Sequence, residues 1–111
     1  MKEDRMLTDI ELENVAAGEG APRSVIGVLE YTEKGLNEVF MECRYTSTRA
    51  LSIRNMIDCC VAIREDYSVK SEKIWRMKEY YNRDVMNSDI PLPYVYKVEF
   101  WLNYLIERIG E

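Results

Sequence analysis

The chain has 111 residues, 47% of them apolar and 32% charged, with 20 acidic side chains against 15 basic ones and no histidine. That is enough for one domain with a real hydrophobic core, and the balance is that of a globular rather than a disordered chain. No apolar run approaches the roughly 18 residues of a membrane helix and no basic-then-apolar secretory signal occurs, so the expected setting is the cytoplasm, away from any membrane.

The first element in chain order is "LTDIELENVAAG", residues 7–18. Thr8 and Glu11 have the spacing of a capping box, in which each side chain accepts from the other's backbone amide. Leu7 and Leu12 stand where a hydrophobic staple would sit, and Asp9, Glu11 and Glu13 place negative charge at the positive end of the helix dipole. Gly18 is a natural residue to end such a helix. The same stretch resembles the double-glycine leaders of bacteriocin-like precursors, through Leu7, Thr8, Glu11, Leu12, Val15 and the closing pair Ala17-Gly18. That family has Gly at the first position of the pair, where this chain has Ala17. The resemblance spans 12 of the 111 residues, and it implies export of a peptide released by cleavage after Gly18. Two expectations therefore stand for residues 1–18: a capped helix or a leader-like segment.

Residues 18–24, "GEGAPRS", break the pattern with Gly18, Gly20 and Pro22 and make a linker over 19–24. They separate the N-terminal segment from a domain covering 25–111. The charge is lopsided. Residues 1–42 hold 4 basic and 10 acidic side chains, whereas residues 43–111 hold 11 and 10. An acidic front half does not suit nucleic acid phosphates, but it could face a basic partner.

Residues 25–46 support two readings. Val25, Val28, Leu29, Leu36, Val39, Phe40 and Cys43 fall on one helical face. Yet "YTEKGL" also reads as a hairpin turn with Gly35 at a bulge, and Val39, Met41, Cys43 and Tyr45 alternate as in a strand. A helix interrupted near Gly35 is the expectation. The alternative is an α+β fold with a β-hairpin at about 24–46, followed by three helices.

Beyond this point the helical period is plain. "TST" at 46–48 offers N-caps for a helix carrying Ala50 or Leu51, Ile53, Ile57, Cys60, Val61 and Arg64, to about Tyr67. Ser68 or Ser71 can cap the next helix, in which Ile74, Met77, Tyr81 and Val85 keep the period. "NSDIPLP", residues 87–93, interrupts with two prolines. A last helix carries Val95, Val98, Leu102, Leu105 and Ile109 and stops at Gly110. The expected fold is all-α, a small bundle of four or five helices.

Without histidine the commonest general base and metal ligand are missing, and no Ser-His or Cys-His nucleophile can be built in one chain. Cys43, Cys59 and Cys60 have neither the even count of a disulfide framework nor the spacing of a zinc site, and read as small buried hydrophobes. The carboxylate pairs Glu38/Glu42 and Glu30/Glu33 read as solvated helix faces. No phosphate-binding loop occurs. A helix-turn-helix could lie in residues 49–83, but their mixed charge and acidic turn do not favour DNA. No enzyme, cofactor or metal is expected.

Aromatic residues crowd the C-terminal third: Trp75, Tyr80, Tyr81, Tyr94, Tyr96, Phe100, Trp101 and Tyr104. With Val98, Leu102, Leu105 and Ile109 turned inward, Trp101 projects about 100° from Leu102, on the flank of the helix. Tyr104 follows on that flank, and Tyr94 and Tyr96 lie just before it. Such residues either close the core or make interface anchors. The expected partner-binding set is Trp101, Tyr104, Tyr94 and Tyr96, in a module that occludes another protein as inhibitors, immunity proteins and antitoxins do. A homo-oligomer is also compatible with the sequence, and the exported precursor is the alternative.

Overall fold

Ser24 opens the first helix by capping it: its hydroxyl accepts from the Gly27 amide at 2.9 Å. The structure, a computed structural model, describes residues 22–110. Among them are four α-helices and no strand: α1 (Val25–Cys43), α2 (Leu51–Glu65), α3 (Lys70–Tyr80) and α4 (Leu92–Ile109). The capped helix or leader-like segment expected at residues 7–18 lies outside the described residues. No helix among the described residues is long and apolar enough to cross a membrane.

The bundle of helices is all-α, as the period implies, and the hairpin alternative for residues 24–46 is not what forms. Helix α1 runs through Gly35 without interruption. The reason is burial. A helix hides Val28, Leu29, Leu36, Val39, Phe40 and Cys43 together, a stripe that spans the whole element. Strand alternation would bury Met41 and Tyr45, which are instead 49% and 88% exposed. Val25, expected on the core stripe, is also exposed. Thr32 joins the buried face, its hydroxyl donating to the Val28 carbonyl at 2.8 Å, so the polar group is satisfied within its own helix.

Each junction has a local cause. Ser47 caps a short 3₁₀ turn, Thr48–Ala50, that leads directly into α2. Helix α2 buries Ile53, Met56, Cys59, Cys60 and Ile63, a face rotated slightly from the one expected, with Ile57 at its edge. It ends at Glu65, because Asp66 takes an extended conformation and turns its carboxylate onto the Ser68 amide, capping the 3₁₀ turn Tyr67–Val69. Helix α3 itself starts at Lys70 with no side-chain cap, so neither Ser68 nor Ser71 fills the capping role expected of it. Helix α3 continues into a π turn, Tyr81–Val85, closed by the Met86 amide on the Tyr81 carbonyl at 2.8 Å. Asn87, at φ 67°, then reverses the chain. Helix α4 begins at Leu92, earlier than expected, since Pro93 falls in its first turn where no amide partner is needed.

Helix α1 occupies the middle, packed on α2 along one side and on α4 along the other, while α3 packs on α2 and meets α4 more sparsely. Cross-links show the antiparallel order. Arg64 of α2 forks onto Glu33 of α1 at 2.9 and 3.0 Å. Ser52 donates to Asp84 in the π turn at 2.9 Å, and Arg49 reaches the same carboxylate at 3.1 Å. The Lys70 ammonium donates to the Ile109 and Gly110 carbonyls, at 2.9 and 3.3 Å, and closes the end of α4.

Candidate functional site

Where α4 packs on α1, four aromatic rings meet: Tyr31, Phe100, Trp101 and Tyr104. Trp101 stands on the flank of the α4 stripe, as the helical phase requires, but that flank is turned onto α1. Its indole meets Tyr31 edge to face at 5.2 Å and Tyr104 at 5.5 Å. Tyr31 and Tyr104 are themselves 5.5 Å apart. Phe100 adds a ring 5.0 Å from Trp101, again edge to face. These are the geometries that aromatic quadrupoles favour.

The indole comes this close because α1 offers it Gly35. A Cβ placed on Gly35 would sit 2.0 Å from Cε2 of Trp101, so any other residue would push the ring away. Beside the ring an open groove of about 350 Å³ lies between the two helices. Its α1 wall is Gly35, Glu38, Val39 and Glu42; its α4 wall is Tyr96, Lys97, Phe100 and Trp101. The Lys97 ammonium lies 3.6 Å from Glu42 across the mouth.

The four residues expected to bind a partner are therefore divided. Trp101 and Tyr96 line the groove, and Tyr96 is 60% exposed. Tyr104 is only 6% exposed and belongs to the core. Its ring is covered by the Arg108 guanidinium at 3.8 Å. Tyr94 is partly buried against the core, with the Lys97 ammonium 6.0 Å from its ring. Tyr94 and Tyr96 both sit on the first turns of α4.

Phe100, 46% exposed, completes the surface. Its place was available in the sequence, since it follows Tyr96 by four residues and so shares its face. The whole α1 wall was not. Glu38 and Glu42 read as a solvated pair until α4 is laid beside them, and nothing local joins residues 35–42 to 96–101.

A second groove, of about 430 Å³, lies along α3 and the π turn, where Trp75 is 58% exposed beside Arg76, Glu79, Tyr80 and Arg83. Its charges are already matched: Arg76 with Glu72, and Arg83 with Glu79, each one turn apart. All three cysteines are buried and free. Among the described residues no group of three or more Cys, Asp or Glu is gathered as a metal site. No protein-family model, curated protein or solved structure matches this chain.

Proposed function

We propose that this protein acts by binding another protein through the α1/α4 face, as a non-enzymatic cytoplasmic module of the inhibitor, immunity or antitoxin kind. The observation that carries this reading is the exposure of Tyr96 and Phe100 on one face of α4, beside a groove floored by Trp101. Large aromatics of this kind are concentrated in interface hot spots, and an exposed cluster of them marks a contact surface rather than a folding requirement. The surrounding structure suits the role. Trp101 is seated on Gly35 and braced by Tyr31 and Tyr104, so the surface is ordered before a partner arrives and little ordering cost is left.

The test compares three forms of the protein as bait in extracts of its host: unaltered, Phe100→Asp, and Trp75→Asp. Phe100→Asp should reduce recovery of a specific partner by roughly tenfold or more, as the loss of a hot-spot aromatic does. Its melting temperature should stay near that of the unaltered protein, because Phe100 is half exposed. Trp75→Asp should recover the partner normally. The opposite pattern would move the contact to α3 and overturn the assignment.

A further inference from the structure

We infer that the α1/α4 groove receives an arginine side chain of the partner, with its guanidinium placed between Glu38 and the rings of Phe100 and Tyr96. This rests on the reading of that face as a protein-binding surface and names the chemistry of what enters it.

The first argument is charge. The groove holds the carboxylates of Glu38 and Glu42, one helical turn apart, and a single cation, Lys97. Lys97 lies 3.6 Å from Glu42; among the described residues no cation stands within ion-pair distance of Glu38. The carboxylates lining the groove therefore outnumber its cations by one. An anionic occupant would meet two carboxylates, and a purely apolar one would strip water from Glu38 without replacing it.

The second argument is the surface beside those carboxylates. Aromatic faces attract cations through their quadrupole, and α4 already uses its rings in this way. Arg108 lies over Tyr104 at 3.8 Å and Lys97 stands 6.0 Å from the Tyr94 ring. Tyr96 and Phe100, on the groove side of the same helix, are exposed and have no such cation among the described residues. A guanidinium fits both demands at once: it is planar, it stacks on rings, and it forks onto a carboxylate. A lysine ammonium would satisfy the charge and leave the ring faces less well covered.

Lys97 then becomes the incumbent. Its contact with Glu42 joins two side chains more than half exposed, at 55% and 54%, and such pairs are weak and easily exchanged. Removing Lys97 should open the groove to an incoming cation, whereas removing the Glu38 charge should close it. The two substitutions lie in one groove and pull in opposite directions.

The experiment is a titration of the full chain, followed by ¹H–¹⁵N NMR, with N-acetyl-arginine methylamide as the probe. N-acetyl-citrulline methylamide, nearly the same shape without the charge, is the control. The arginine probe should move the Trp101 indole N–H and the Phe100 amide saturably, and should leave the Trp75 indole on α3 in place. Glu38→Gln should weaken its binding by roughly threefold or more, and Lys97→Ala should strengthen it by a similar factor. Added salt should weaken it further. An equal response to citrulline, or an unchanged affinity in Glu38→Gln, overturns the arginine assignment but leaves the face as a contact surface. No saturable response to the arginine probe also overturns it. The broader reading then stands or falls on Phe100→Asp alone.

Discussion

The Trp101 indole lies directly on Gly35, with Cε2, Cζ2 and Cδ2 occupying the space that a Cβ at residue 35 would need, 2.0, 2.3 and 2.5 Å away. A glycine in the middle of a 19-residue helix would ordinarily be a weakness, costing about 1 kcal/mol relative to alanine. Here the missing side chain is what allows α4 to approach α1, and so what shapes the groove.

Gly35→Ala sets helix propensity against sterics. The propensity gain of about 1 kcal/mol is opposed by overpacking that typically costs 1–3 kcal/mol. Urea unfolding should show a net loss on the order of 1 kcal/mol. Adding Trp101→Leu should remove most of the alanine's penalty, so the two changes will not be additive. A Gly35→Ala protein as stable as the parent would mean that displacing the indole costs no more than the propensity gain of about 1 kcal/mol.

The buried thiols should make the fold sensitive to alkali. Burial pushes all three up from the ordinary 9.0, Cys59 to about 11 and Cys60 further. Tyr81 moves the same way, through burial and then the Glu99 carboxylate. The folded chain thus keeps protons that the unfolded chain has already released. The Cys59 contribution is intact below pH 9.0 and is lost as pH rises toward about 11, on the order of 2 kcal/mol in all. Stability measured across that window should fall less steeply in Cys59→Ala. At neutral pH a thiol reagent should react with these residues only as fast as the protein opens.

Lys70 holds the last carbonyls of α4, where a cation also opposes the negative end of the helix dipole. Lys70→Met should cost about 0.3–1 kcal/mol. The loss should be local. Amide exchange should quicken over residues 106–110 while the centre of α4 stays protected, and uniform acceleration through α4 would show that the contact holds more than one helix end.

Asn87 is the one non-glycine residue at positive φ among the described residues. It follows the π turn, and Ser88 completes the reversal by donating to the Val85 carbonyl at 2.7 Å and accepting from the Ile90 amide at 3.1 Å. Asn87→Gly should be tolerated or slightly stabilising. Asn87→Val should cost roughly 1–2 kcal/mol, since a β-branched residue strains in the left-handed region. Equal melting temperatures for the two variants would show that the turn adopts another conformation at little expense.

Much of this protein is determined by information local to each segment. The cap at Ser24, Pro93 in the first turn of α4, and the stripes Ile74-Met77-Tyr81-Val85 and Val95-Val98-Leu102-Leu105-Ile109 all depend on neighbours within a few residues. A 3.6-residue period can be read without knowing what lies opposite. Gly35 could not be resolved in that way, because a turn, a bulge and a close helix crossing all require the same missing side chain. Only Trp101, 66 positions further along the chain, decides between them. The same holds for Tyr104 and Phe100, both near the flank of one helix. Packing on Tyr31 of α1 buries the first, and the second is left exposed at the edge of the groove. Helical phase assigns a side chain its direction, but whether that direction meets water or another helix is settled by where α1 and α4 touch.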